Sequence, residues 1–177
     1  MDKKREIRIR SKGIRKTLNI AEISNLIVAN IRELDVYKSA EHVMLFYPLE
    51  NEIDLRGLLS DGKKFYFPRV CGEDLEVCPY KLGDELSVSG FKVMEPVSAP
   101  VDKSVIDLVL VPALAVDEKF NRIGYGKGFY DRFAEGLRGR RLVVIPDELV
   151  FDDVPSDAND RKCDGIITQK KASFDRG

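Results

Sequence analysis

The sequence predicts an α/β fold, a single three-layer α/β/α domain with a mainly parallel sheet covered by helices on both faces. Three observations carry this reading. Five short apolar runs are bounded by turn or helix signals, as fully buried strands are. Segments with apolar residues at helical spacing lie before and between those runs, and strands that alternate with helices build parallel sheets. The 177 residues, 44% of them hydrophobic, suffice for one sizeable core and are too few for two ordinary domains, so residues 1–177 are read as one unit.

Ile7, Ile14 and Leu18 share one helical face and Lys4, Arg8 and Arg15 another, so residues 1–18 read as a basic amphipathic helix despite Gly13. Asn19 breaks it. A second helix spans about 21–34, with Ile23, Leu26, Ile27 and Ile31 at compatible spacing. The apolar runs then place strands at 43–47, 64–67, 108–111, 142–145 and 165–168. A short helix is predicted at 53–59, before Asp61 and Gly62, and another at about 127–137. Residues 76–82 read as a further strand, followed by a connection marked by Pro96 and Pro100.

Charge is unevenly spread. Residues 1–18 carry eight Lys or Arg against Asp2 and Glu6, a balance of +6 that leaves −7 for the remainder. A basic arm on an acidic body suggests that the arm meets an anion: phosphate, nucleic acid, a membrane surface or the protein's own acidic face. Nucleic acid fits poorly, because the basic residues lie in one short segment and no aromatic RNA-binding signature accompanies them. Cys71, Cys78 and Cys163 are odd in number and none forms a C-x-x-C pair, which fits a reducing compartment. No run approaches the roughly 20 apolar residues of a membrane span, so a soluble, cytoplasmic protein is expected. His42, the single histidine, excludes any mechanism that needs a histidine cluster and reads as a structural or surface residue.

The chemistry concentrates after the strand at 108–111, in Arg122-Ile123-Gly124-Tyr125-Gly126-Lys127-Gly128-Phe129-Tyr130-Asp131-Arg132. A buried strand delivers the chain to the carboxyl edge of the sheet, where open α/β folds keep their ligand crevice. Three glycines there let backbone amides approach a phosphate, and Arg122 and Lys127 add full charges. The run is neither a Rossmann G-x-G-x-x-G, since Phe129 stands where the last glycine belongs, nor a Walker loop, since Gly128 follows Lys127. Glycines so spaced also suit a plain strand-to-helix turn. Asp131 has two readings: a first-turn carboxylate that interacts with the helix dipole, or a hard oxygen ligand for magnesium beside bound phosphates. Asp160 and Asp164 are the candidates for a second carboxylate.

With these blocks in view the chain resembles the 5-formyltetrahydrofolate cyclo-ligase (5,10-methenyltetrahydrofolate synthetase) family. Lys4-Arg5-Glu6-Ile7-Arg8, Glu50-Asn51-Glu52-Ile53-Asp54, Phe67-Pro68-Arg69 and the block from Arg122 to Arg132 occur in the family's order, and Glu95-Pro96 and the ending at 160–168 also match. The resemblance implies a Rossmann-like fold and an ATP- and Mg2+-dependent conversion of 5-formyltetrahydrofolate to 5,10-methenyltetrahydrofolate, with release of ADP and phosphate. It further implies a monomer that works on small molecules, reduced folate and ATP, and on neither nucleic acid nor membrane. Carried over by position, Lys4, Arg5, Glu6, Ile7 and Arg8 touch ATP, as do Arg122, Ile123, Gly124, Tyr125, Gly126, Lys127, Gly128, Phe129 and Tyr130. Tyr47 and Glu52 line the folate site, which Tyr125, Gly126, Lys127, Gly128 and Phe129 share. Asp131 and Asp160 hold the metal, and Lys127, Arg122 and Tyr130 are the catalytic set. Glu52 also reads as an ordinary helix-start carboxylate, and Arg69 either faces phosphate or pairs with an acid. Ala113 and Val116 depart from the family's usual Gly and Phe in its Pro-Gly-x-Ala-Phe-Asp stretch. A protein that keeps the folate or nucleotide site without turnover is the alternative.

Overall fold

The structure, a computed structural model, describes residues 2–176. Helix α1 (Lys3–Arg15) is capped by the Asp2 carboxylate, which accepts from the Lys4 amide at 3.2 Å. Asn19 ends that arm and caps α2 (Ile20–Glu33) through the Glu22 amide at 3.1 Å. Each cap satisfies an amide that the helix start leaves without a partner. Leu34 is extended, which separates α2 from the one-turn α3 (Asp35–Ser39).

The sheet then forms from β1 (His42–Met44), β2 (Lys64–Cys71) and β3 (Asp74–Tyr80), with a 3-10 turn (Arg56–Ser60) between β1 and β2. A separate hairpin follows, β4 (Leu86–Val88) and β5 (Met94–Pro96). Next come β6 (Leu108–Pro112), β7 (Ala115–Asp117), β8 (Arg122–Ile123) and α4 (Phe129–Ala134), then β9 (Arg140–Val144), β10 (Val150–Phe151), β11 (Gly165–Ile167) and β12 (Ala172–Phe174).

The central sheet runs β12-β11-β9-β6-β1-β2-β3. Its five inner strands are parallel and both edges are antiparallel. From β1 the chain moves to β2 on one side and later returns to β6 on the other. That reversal opens a crevice beyond the carboxyl ends of β1 and β6. Strands β10-β7-β8 form a small second sheet beside it.

Both faces are buried, which is why the inner strands read as unbroken apolar runs. On one face Val43, Leu45, Leu108, Leu110, Leu142 and Val144 pack with Ile27 and Ile31 of α2, Tyr37 of α3 and Leu58 of the 3-10 turn. On the other, Met44, Val109, Val111, Val143 and Ile145 pack with Phe133 of α4, and Ile14 of α1 leans on this cluster. Each fully buried aliphatic side chain contributes roughly 1.5–3 kcal/mol, so the inner strands anchor the frame on which the crevice loops are mounted.

Several elements differ from expectation. The basic helix ends at Arg15 rather than at residue 18, and the helix predicted at 127–137 is only the six residues of α4. Gly128 enters α4 at φ 70° and Glu135 leaves it in an extended conformation. The helix predicted at 53–59 is the 3-10 turn, and the strand predicted at 76–82 is β3. Strands β7, β8, β10 and β12, of two or three residues each, carry too little periodicity to be read in advance. All three cysteines are free, Cys71 exposed and the other two buried. Among the described residues no helix is long and apolar enough to cross a membrane.

Candidate functional site

A cavity of about 830 Å³ opens at the crevice. One half of its wall is cationic: Lys4 and Arg8 from α1, and Arg122, Lys127 and Arg132 from the glycine-rich run. Another stretch of the wall, from β2, β3 and the β4–β5 hairpin, presents Pro68, Val70, Leu75, Phe91, Val93 and Glu95. Tyr47 and Glu52 from the loop after β1, and the loop at 157–161, complete the rim.

The glycine-rich run owes its path to its letters. Gly126 and Gly128 sit at φ 100° and 70°, angles that side-chain-bearing residues adopt only with strain. Arg8 donates from Nε to the Gly124 carbonyl at 2.9 Å, which ties the first helix to the run 116 residues later. The Arg122 guanidinium lies 5.5 Å from the Tyr130 ring centre and makes no hydrogen bond or ion pair with the described residues. Burial lowers its pKa, and the charge of Asp131 works against that shift. A half-buried guanidinium without a protein partner, lining a cavity, is suited to receive an anion, because its fork of donors is left open. Lys127 is exposed at the rim, with its ammonium likewise free of partners among the described residues.

Glu52 is not an ordinary helix-start carboxylate. It is 6% exposed and accepts from the Leu49 amide at 2.8 Å through one oxygen and from the Tyr125 hydroxyl at 2.6 Å through the other. Burial raises its pKa, opposed by these two hydrogen bonds and by the charge of Arg15. Burial likewise raises the Tyr125 phenol, with the Glu52 charge adding to the shift. Arg15, 4% exposed, donates to the carbonyls of Asn51 at 3.0 Å and Ala113, so it clamps the loop after β1 to the loop after β6. Burial lowers the Arg15 pKa against the pull of Tyr125 and Glu52. Tyr47 receives a hydrogen bond from Arg56 at 2.9 Å, with the same guanidinium over its ring.

The loop at 157–161 supplies the carboxylates. Lys4 Nζ lies 2.9 Å from Asp157 and 2.6 Å from Asp160. Burial opposes the Lys4 charge, but the hydrogen bonds from both acids outweigh it and raise its pKa. Asp131 accepts from the Arg161 amide at 3.1 Å and also lines the cavity. Among the described residues no group of three or more His, Cys, Asp or Glu forms a metal cage. Asp131 and Asp160, both lining the cavity, are nevertheless hard oxygen donors of the kind magnesium takes, since it uses one or two carboxylates and fills its remaining positions with phosphate and water oxygens.

Most of the anticipated residues therefore gather in one place: Lys4, Arg8, Tyr47, Glu52, all nine positions from Arg122 to Tyr130, Asp131 and Asp160 line the cavity. Three do not. Arg5 and Glu6 are exposed outside it, on the turn of α1 that faces away, and Ile7 packs against Leu114, Ala115, Ile123 and Val154. Asp164 stands at the start of β11 and accepts from the Arg141 amide at 2.8 Å, away from the cavity. Arg69 pairs with Glu76 at 2.7 Å instead of facing phosphate. Ala113 lends its carbonyl to Arg15, and Val116, on β7 of the small sheet, is buried in the cluster formed with Val109, Val111 and Val143 of the main sheet. Arg15, Glu95 and Asp157 were missed. Asp157 had a local signal, an acid three residues before Asp160, and Arg15 lies two helical turns after Arg8; Glu95 had only its place in a matching dipeptide.

Comparison with known proteins identifies the family and the fold. The sequence profile of the 5-formyltetrahydrofolate cyclo-ligase family matches residues 1–169. A Schizosaccharomyces pombe protein described as a probable 5-formyltetrahydrofolate cyclo-ligase is 24% identical over 169 residues, covering 82% of this chain and 83% of its own. The Escherichia coli 5-formyltetrahydrofolate cyclo-ligase is 31% identical over 103 residues, 52% of this chain and 57% of its own. The solved structure of Aquifex aeolicus 5,10-methenyltetrahydrofolate synthetase superposes with a TM-score of 0.87 at 30% identity, over 98% of this chain and 93% of that one. The Mycoplasma pneumoniae 5,10-methenyltetrahydrofolate synthetase shares the fold, with a TM-score of 0.77 at 19% identity over 96% and 99% of the two chains.

Proposed function

The chain belongs to the 5-formyltetrahydrofolate cyclo-ligase family, a family of ligases, and on that premise we propose that it converts 5-formyltetrahydrofolate to 5,10-methenyltetrahydrofolate with ATP and magnesium. The reaction has two halves. The formyl oxygen attacks the γ-phosphorus of ATP and ADP leaves, so the former amide oxygen now carries phosphate. The neighbouring N10 amine then attacks the formyl carbon, its proton is lost, and the carbon–oxygen bond breaks to expel inorganic phosphate.

No protein nucleophile is needed, so the residues act by placement and charge. Arg122, Lys127, Arg8 and Lys4 surround the space for the triphosphate. Preorganised cations there stabilise the charge that spreads over the transferring phosphoryl oxygens. Tyr130 holds the Arg122 guanidinium against its ring. Asp131 and Asp160 would hold magnesium, which neutralises phosphate charge when bound. Tyr47, Glu52 and Tyr125 border the folate side, and the hydrogen bond from Tyr125 to Glu52 keeps both side chains oriented. The reading includes a single-domain, monomeric, cytoplasmic protein.

The observation that carries this reading is the half-buried Arg122 guanidinium, without a hydrogen bond or ion pair among the described residues, in a cavity that also carries an apolar stretch of wall. Purified protein given 5-formyltetrahydrofolate, ATP and magnesium should develop the near-ultraviolet absorbance of the methenyl product. Absorbance no higher than a protein-free control would defeat the enzyme reading, and ligand binding without product would select the non-catalytic alternative.

A further inference from the structure

The apolar half of the cavity contains one charged side chain that the reaction above does not use. Glu95, on β5, is 7% exposed and lines the cavity. One carboxylate oxygen accepts from the Val70 amide on β2 at 2.8 Å, which fixes the side chain between hairpin and sheet. The other oxygen has no hydrogen bond, and neither oxygen has an ion pair, among the described residues. Arg69, next to Val70, lies close enough to feel the charge of Glu95, but its hydrogen bonds go to Glu76 and the carbonyls of Pro96 and Ser98. With one oxygen fixed by an amide and the other left open to the cavity, this carboxylate is positioned to accept donors from whatever fills the cavity. Glu52 offers no such vacancy, because both of its oxygens are occupied by Leu49 and Tyr125.

The two ligands differ in what they present to such a group. The triphosphate and the glutamate tail of folate are anions, which a carboxylate repels and the cationic half attracts. Adenine shows its amine beside a ring acceptor. The reduced pterin head of folate is a flat body with an edge on which a ring N–H and an exocyclic amine stand side by side, both donors. We propose that Glu95 reads that edge: its cavity-facing oxygen accepts from the pterin amine and ring N–H while Val70, Val93 and Phe91 border the flat body. The inference rests on the folate reading of the site and assigns Glu95 as the residue that selects a 2-amino-4-oxo pterin over other flat heterocycles.

Glu95→Gln keeps the oxygen that receives the Val70 amide and turns a donor toward the ligand's donors. Titration calorimetry should show 5-formyltetrahydrofolate binding weakened about 10²-fold, the loss of a charge-assisted hydrogen bond. The Kd for a non-hydrolysable ATP analogue should stay within about threefold, and a folate analogue lacking the exocyclic amine, which keeps only the ring N–H, should lose less affinity on the substitution than the natural head does. Wild type alone should also prefer the natural head over that analogue by at least about tenfold, which tests the idea even if the variant does not fold. Unchanged folate affinity in the variant, or a loss confined to the ATP analogue, would overturn the assignment and leave Glu95 as a cap for Val70. A wild-type protein that binds no 5-formyltetrahydrofolate would instead sink the functional reading itself.

Discussion

Gly124→Ala isolates the role of Arg122 with a single methyl group. A Cβ at position 124 would lie 2.6 Å from Nη1 of Arg122, 3.1 Å from Nη2 and 3.4 Å from Cζ. Ordinary contact begins near 3.4 Å, so the guanidinium must retreat by about 0.8 Å. The obstacle is the far end of a flexible side chain and position 124 does not require a positive φ, so the fold tolerates the change. Unfolding free energy should move by less than about 1 kcal/mol, partly offset by the smaller freedom of alanine in the unfolded chain. Transition-state placement is less forgiving: a misplacement near 1 Å costs about 10²-fold, or about 2.7 kcal/mol. The expected result is a kcat/KM reduced about 10²-fold by the absorbance assay, with weaker ATP binding and an unchanged melting curve. In an Arg122→Ala background the same methyl group meets nothing closer than ordinary contact distance and should add almost nothing to the loss of ATP affinity. Full activity in the single variant, or an equal loss in both backgrounds, would refute the assignment of Arg122.

Three further outcomes follow from the same geometry. Lys127→Ala and Asp131→Asn should each lower kcat at least about 10²-fold with unchanged circular dichroism, since neither side chain is in the core; wild-type turnover in either would remove that residue from the machinery. Burial holds Glu52 above its ordinary value of 4.5, so the native state binds that proton more tightly than the unfolded chain. Wild-type stability should therefore fall, relative to Glu52→Gln, as pH rises from 4.5 through the folded value; parallel denaturant-derived curves across pH 4.5–7 would contradict this. Because Lys4 occupies Asp160 and Asp157, Lys4→Met should bind manganese, a magnesium surrogate, roughly tenfold more tightly without nucleotide, as read by electron paramagnetic resonance. Equal affinity would mean that the ammonium does not compete with the cation at these carboxylates.

The apolar runs at 108–111, 142–145 and 165–168 identified parallel strands because a sheet buried on both faces demands side chains that are apolar on both faces, a local property of the letters. The run from Gly124 to Asp131 announced itself for a similar reason: Gly126 and Gly128 are needed by the backbone where they stand, and the charges sit beside them. Lys4 and Arg8 were legible as one face of a helix from their spacing alone. What they face was not. Lys4 meets Asp157 and Asp160 across more than 150 residues, Tyr125 meets Glu52 across 73, and Arg15 joins the loops after β1 and β6. Such pairings have no period and no neighbouring signal; they exist only after β1, β2 and β6 take their order and bring distant loops to one edge. The sequence by itself determined the fold class, the phosphate-suited turn and most of the residues around it. Only the tertiary structure decided that Arg5 and Glu6 face away, that Asp164 stands apart from Asp160, and that Glu95 keeps an unpaired oxygen in the cavity, because burial and hydrogen-bond partners are properties of the packed chain.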